Sequence, residues 1–112
     1  MKVRLTAEER AGIIEGLSEK IGDIKAELLL YGSRADPALQ GGDIDLLLKV
    51  EEPDTAKALN AQAHVLLNSI KKRIGDRKID LSVKDSGALR EDPFWAMALQ
   101  KSVLLKRWAP GR

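Results

Sequence analysis

Residues 26–50 of the chain read AELLLYGSRADPALQGGDIDLLLKV. The apolar run from Lys25 to Tyr31 predicts a buried strand that stops at Gly32, and Asp43 to Val50 is predicted as a second strand. The segment that joins them is rich in Gly, Ser, Asp and Pro, which are turn-forming residues, and is predicted to be a loop. This strand, loop and strand carry the residues on which both the fold and the candidate site depend.

The flanking sequence predicts helices and a third strand. Thr6 and Glu9 have the spacing of a capping box, in which each side chain accepts a hydrogen bond from the other's backbone. The remaining predicted elements are a first helix ending at Gly22, one long helix from Pro53–Thr55 to Ile74 closed by Gly75, a strand over Lys78–Lys84, a helix from Pro93 to about Gln100, and Val103–Trp108 as a short strand or docked tail. This order predicts an α/β (α+β) fold, a small mixed β-sheet with helices packed on one side.

Composition excludes several classes of protein. The chain has 112 residues, which predicts a single domain over 1–112, and 44% of them are hydrophobic and 32% charged, as in a globular protein. The net charge of +2 does not indicate nucleic-acid binding, and 0 Cys excludes disulfides and thiolate metal sites. No apolar run approaches the roughly 20 residues that span a bilayer, and Met1–Arg10 lacks the apolar stretch of a secretion signal. A cytoplasmic protein with no membrane partner is expected.

Three aspartates form the candidate chemical site. Asp43 and Asp45 are two residues apart in a strand, so their side chains lie on the same face of the sheet. In the third strand Asp80 and Ser82 share one face, opposite the apolar positions. If the two strands are neighbours, the three carboxylates converge on one open face of the sheet.

A cluster of carboxylates needs positive charge, because like charges at short range repel one another. Oxygen ligands without His or Cys suit Mg²⁺ or Mn²⁺ rather than zinc. Two such ions ~3.5–4 Å apart can hold the attacking and leaving oxygens of a phosphoryl displacement. Gly32-Ser33 directly after a strand offers close backbone approach and hydrogen-bond donors for a phosphate.

The combination resembles the signature of the polymerase β-like nucleotidyltransferases, and is most similar to the minimal nucleotidyltransferases. The resemblance covers about residues 26–83 and rests on Tyr31-Gly32-Ser33, nine intervening residues, Asp43-Ile44-Asp45-Leu46, and Ile79-Asp80-Leu81. It implies a nucleotidyltransferase fold in which a strand, loop, strand, helix and strand carry the site.

The resemblance implies a role for each motif residue. Asp43 and Asp45 would hold divalent metal together with the nucleotide, and Asp80 would complete the metal site and help to activate the acceptor hydroxyl. Gly32 and Ser33 would cradle the triphosphate, and the third nucleotide-binding candidate is Arg34. ATP is the implied donor and Mg²⁺ or Mn²⁺ the implied cofactor.

The resemblance also implies a partner. Minimal nucleotidyltransferases commonly work beside a helical HEPN-domain protein as a toxin and antitoxin pair, in which AMP is transferred to a tyrosine hydroxyl of the HEPN protein. The leading hypothesis is therefore an antitoxin-type nucleotidyltransferase that forms a hetero-oligomer with its target. The alternatives are a non-catalytic module that binds a partner or nucleotide, and transfer to RNA or a small molecule, which is ranked lowest.

Residues outside the motif receive structural interpretations. His64 is predicted to lie on a helix surface, and Trp95 is predicted, with Phe94 and Met97, to form core or a subunit contact rather than a base-stacking surface. Trp108 in a basic tail is a candidate anchor for a partner. The cations Lys71, Lys72, Arg73, Arg77 and Lys78 cluster near the end of the long predicted helix. A favourable interaction with the carboxyl-terminal dipole of that helix is preferred as the interpretation, and binding of RNA or an acidic partner is the alternative.

Overall fold

The computed structural model describes residues 5–32 and 43–109. Its elements in chain order are α1 (Ala7–Ile21), β1 (Ala26–Tyr31), β2 (Ile44–Val50), α2 (Pro53–Ala61), α3 (Ala63–Ile74), β3 (Ile79–Asp85), α4 (Ser86–Glu91), α5 (Pro93–Gln100) and β4 (Val103–Trp108). Ser33 and Arg34, two of the predicted nucleotide-binding residues, lie outside the described residues.

The four strands form one mixed sheet in the order β3-β2-β1-β4. Strand β1 is antiparallel to both of its neighbours, β2 and β4, whereas β2 and β3 are parallel. The predicted mixed sheet is thus confirmed, and the segment Val103–Trp108 is an edge strand rather than a docked tail.

The two faces of the sheet carry different layers. Ile44, Leu46 and Leu48 of β2 belong to the main core, which also contains buried residues of α1, α2 and α3. Leu47 points to the opposite face and packs with Leu89 of α4 and residues of α5. Helices α1, α2 and α3 lie on one side of the sheet, as predicted. The short helices α4 and α5 form a smaller layer on the other side, which was not predicted.

Helix α1 begins at the predicted capping box and packs closely on α3. The Thr6 hydroxyl accepts from the Glu9 backbone N–H at 3.0 Å, and the Glu9 carboxylate accepts from the Thr6 N–H at 3.0 Å. Where the helices cross, a Cβ on Gly16 would lie 2.9 Å from the Ile70 backbone, so only glycine allows this approach. The Ser69 hydroxyl donates to the Gly16 carbonyl at 2.9 Å and fixes the crossing.

The prediction of a single long helix from Pro53 to Ile74 is wrong, because the helix is interrupted at Gln62 and divided into α2 and α3. Gln62 has φ −111° and ψ 19°, outside the helical region. The Asn60 amide donates to the Ala56 carbonyl and, at 3.0 Å, to the Val83 carbonyl of β3, which ties the end of α2 to the sheet. The break allows α2 to follow the sheet while α3 turns to pack on α1.

Helix α4 was not predicted. Asp85 caps it by accepting from the Ala88 backbone N–H at 3.1 Å, and Leu89 is its one buried residue. A six-residue helix with a single buried side chain has too little apolar periodicity to be recognised in the sequence. Among the described residues no helix has the length and apolar character needed to cross a membrane.

Candidate functional site

A row of three residues crosses the sheet at one end. Tyr31 on β1 is the strand partner of Asp45 on β2, and Asp45 is the partner of Asp80 on β3. The sequence left open whether the strands bearing Asp45 and Asp80 are neighbours, and the parallel β2–β3 pairing shows that they are. Two of the predicted acids are therefore brought side by side.

Asp43 lies just before β2 and is exposed. The Ile44 N–H, the next along the chain, donates to the Lys78 carbonyl at 2.9 Å, so backbone pairing with the segment leading into β3 continues up to Ile44. This pairing holds the start of β2 beside β3 and keeps Asp43 at the same end of the sheet as Asp45 and Asp80.

Asp45 is affected first by its burial and then by its two acidic neighbours. Burial raises the pKa of the Asp45 carboxyl above its usual range, and the charges of Asp80 and then Asp43 raise it further. Within residues 5–32 and 43–109 none of the three carboxylates forms an ion pair. The described part of the site is thus acidic, with no described cation paired to it.

Gly32 makes room for the Asp45 side chain. Its φ is 75°, in the region that favours glycine, and a Cβ at this position would collide with the Asp45 carboxylate. The sequence predicts that Gly32 allows the backbone to come close to a bound phosphate. The structure shows a close approach to a carboxylate of the same chain.

Tyr31 also belongs to the site, although its own role was not predicted. It is the strand partner of Asp45, and the charges of both Asp45 and Asp80 act on its phenol. Burial is the main effect that raises the pKa of this phenol, the nearby Ser82 hydroxyl lowers it, and the charges of Asp45 and Asp80 raise it further. Side-chain alternation in β1 could have indicated this face, but only once its register with β2 was known.

The donor set fits a hard divalent cation. Asp45 and Asp80 supply carboxylate oxygens on one sheet face, and Asp43 lies at the same end of the sheet, just before β2. Carboxylate oxygens are the ligands that Mg²⁺ and similar ions prefer. In the described ranges no three His, Cys, Asp or Glu side chains form a preassembled metal-binding group. The fit therefore rests on the donor chemistry and the strand register.

The basic cluster is largely occupied by contacts within the chain. Arg77 donates to Glu9 at 2.7 Å, Arg73 to Glu19 at 3.0 Å, and the Lys71 ammonium lies 3.6 Å from the Asp76 carboxylate. The bond from Arg73 is the largest effect that lowers the pKa of Glu19. These pairs agree with the structural interpretation of the cluster.

The aromatic residues divide into buried and exposed members. Trp95 is 6% exposed and belongs to the smaller core, as predicted, whereas Phe94 and Met97 are 58% and 71% exposed. The Trp108 indole N–H donates to the Ser18 hydroxyl at 2.9 Å, and its ring packs against the main core. His64 is exposed on α3, as predicted.

A cavity of about 370 Å³ opens at the other end of the sheet, where β1 begins and β2 ends. Its three cations are paired with acids: Lys25 with Glu51 at 3.0 Å, and Arg107 and Lys49 with Glu27 at 2.9 and 3.9 Å. The charged side chains that line this cavity are therefore engaged in ion pairs within the chain.

No protein-family model matches the chain, and no curated protein is significantly similar to it.

Proposed function

We propose that the chain is a metal-dependent nucleotidyltransferase that transfers AMP from ATP to a hydroxyl group of a partner protein. The observation that carries the proposal is the in-register pairing of Asp45 with Asp80 on parallel strands, with Asp43 at the same end. Strands hold carboxylates more rigidly than loops do, and metal-assisted phosphoryl chemistry requires ligands in fixed positions.

Each residue of the site has a proposed role. Asp43, Asp45 and Asp80 would hold Mg²⁺ or Mn²⁺, which neutralises phosphate charge when bound. Gly32 leaves the space that the Asp45 carboxylate occupies. Ser33 and Arg34 keep the phosphate-binding roles that the resemblance to minimal nucleotidyltransferases implies.

The proposed reaction is a displacement at the α-phosphorus of ATP. The acceptor oxygen forms a bond to that phosphorus, the bond from phosphorus to the bridging oxygen breaks, and pyrophosphate leaves. The hydroxyl proton passes to the Asp80 carboxylate and then to water, which restores the site. Asp80 suits this role because it is exposed at the sheet edge, next to Asp45.

The proposed partner is a HEPN-domain protein, with a tyrosine hydroxyl as the acceptor and the present chain as the antitoxin of the pair. The support for this partner is the resemblance of the Gly-Ser, Asp-x-Asp and later Asp motifs to those of minimal nucleotidyltransferases. Such a target would meet the chain at the open end of the sheet, where Asp43 and Asp80 are exposed.

Mass spectrometry of a reconstituted pair tests the proposal. The chain is mixed with ATP, Mg²⁺ and a HEPN-domain protein encoded beside it, and the wild type is expected to add AMP to that protein. Asp45→Asn and Asp80→Asn should each slow the reaction at least about a hundredfold, since metal stabilisation is worth several kcal/mol. Asp23→Asn, at an exposed acid outside the site, is the matched control.

Two outcomes would contradict the proposed function. Undiminished AMP incorporation by Asp45→Asn and Asp80→Asn would exclude the mechanism. A stable complex in which both proteins keep their masses would instead support the non-catalytic binding module.

A further inference from the structure

Helix α5 has a packed side and an exposed side. Trp95, Ala98 and Leu99 contribute to the smaller core against the sheet. Phe94 and Met97, one turn apart, are exposed and belong to neither core cluster. The helix is therefore packed without the Phe94 ring, and core packing does not explain a large aromatic side chain at this position.

The position of the Phe94 ring is nevertheless fixed. Its centroid lies 4.9 Å from that of Trp95 and 6.5 Å from that of Tyr31, at interplanar angles of 81° and 83°. These are edge-to-face contacts, which stabilise aromatic pairs beyond the area they bury. The Asp92 carboxylate also accepts from the Phe94 N–H at 2.9 Å and fixes the start of the helix.

Phe94 lies on the same side of the sheet as the aspartates. Leu47 and Tyr31, which pack with α5, share a sheet face with Asp45, because Leu47 is two residues from Asp45 and Tyr31 is its strand partner. Tyr31 thus has Phe94 on one side and the acids on the other. An exposed, immobilised aromatic ring borders the acidic end of this face.

We propose that Phe94 is the platform on which the base of the nucleoside triphosphate stacks. This assignment rests on the proposed function, in which Asp43, Asp45 and Asp80 hold the metal that binds the phosphates of the nucleotide. An aromatic ring that is already fixed loses little conformational freedom when a base stacks on it. Phenylalanine has no hydrogen-bonding group, so the platform should favour large bases by area and discriminate little between adenine and guanine.

Calorimetric titration with two probes tests the assignment. Wild type, Phe94→Ala, Phe94→Trp and Met97→Ala are titrated in Mg²⁺ with ATP, and separately with inorganic tripolyphosphate, which has no base. Phe94→Ala should weaken ATP binding roughly tenfold and leave tripolyphosphate binding unchanged. Phe94→Trp should restore ATP binding, and Met97→Ala, an equally exposed apolar residue of the same helix, should change neither affinity.

The outcomes separate the two proposals. ATP affinity that Phe94→Ala leaves at the wild-type value, or a loss that is equal for ATP and tripolyphosphate, overturns the stacking assignment and leaves the transferase intact. If wild type binds neither probe in Mg²⁺, the proposed function fails and the stacking assignment with it. Thermal melting of each variant checks folding, which truncation of an exposed ring should preserve.

Discussion

Gly32 and Gly22 have nearly equal φ angles, 75° and 72°, but different surroundings. A Cβ at Gly32 would collide with the Asp45 carboxylate, whereas one at Gly22 would meet nothing within 4 Å. Each substitution to Ala should lower the free energy of unfolding by about 1–3 kcal/mol through backbone strain. Only Gly32→Ala should also weaken Mn²⁺ binding, measured by electron paramagnetic resonance, because it displaces a ligand. Equal Mn²⁺ affinities in the two variants would show that this glycine does not position Asp45.

Asp45 should destabilise the metal-free protein at neutral pH. Because its pKa is raised on folding, chiefly by burial and then by Asp80 and Asp43, the folded protein binds this proton more tightly than the unfolded chain does. Stability should therefore fall as the pH rises from the usual carboxyl range through the folded pKa. Asp45→Asn should raise the free energy of unfolding at pH 7, by less than about 1 kcal/mol because solvent screens the half-exposed group.

The pH dependence of the stability gained by Asp45→Asn tests this prediction. Denaturant unfolding should show the Asp45→Asn difference shrinking toward zero near about pH 3, where the wild-type carboxyl is protonated as well. Asp23→Asn should show no such difference. A variant that is less stable than wild type at pH 7 would refute the view that Asp45 is strained by its neighbours.

The elements that depend on neighbouring residues could be predicted from the sequence, whereas features that depend on contacts between distant residues could not. The capping box at Thr6 and the strand before Gly32 depend on neighbouring residues and were predicted correctly. The break at Gln62 was missed because the apolar spacing runs through it, and because the Asn60 contact with Val83 spans 23 residues. Strand alternation correctly predicted that Asp45 lies on the sheet face opposite Ile44, Leu46 and Leu48, whereas Asp43, predicted to be in the same strand, lies just before β2. The pairing of Asp45 with Asp80, and the place of Tyr31 beside them, required the tertiary structure.

Arg77, a member of the basic cluster, links α1 to α3 and so has a structural role. It donates to the buried Glu9 carboxylate at the start of α1 and to the Ile74 carbonyl at the end of α3. Arg77→Ala should lower the free energy of unfolding by about 1–3 kcal/mol, the usual cost of disrupting hydrogen bonds to a buried charged group. Lys72→Ala, at an exposed cation of the same cluster, should change it by less than about 0.5 kcal/mol. If Arg77→Ala and Lys72→Ala lowered the free energy of unfolding equally in chemical denaturation, Arg77 would have no special structural role.

For the whole molecule, the order of the strands in the sheet determines how ligand binding at the aspartates affects the stability of the fold. β2 and β3 bear the acids, and β2 is central, with β1 on its other side and the main core beneath it. A cation that binds Asp45 and Asp80 would therefore connect neighbouring strands that must separate on unfolding. Metal binding at this site should act on global stability and not only on a local loop.

Thermal unfolding in Mn²⁺ measures this linkage. A ligand that binds only the folded state stabilises it by RT ln(1 + [L]/Kd), about 2.7 kcal/mol at a hundred times Kd. The wild type should gain stability with Mn²⁺ concentration at pH 7 and gain less at acid pH, because protons compete for the raised-pKa Asp45 carboxyl. Asp45→Asn and Asp80→Asn should lose most of the gain, and Asp23→Asn should keep it. An equal gain in all four proteins would place the bound cation elsewhere, because then neither strand aspartate would be needed to hold it.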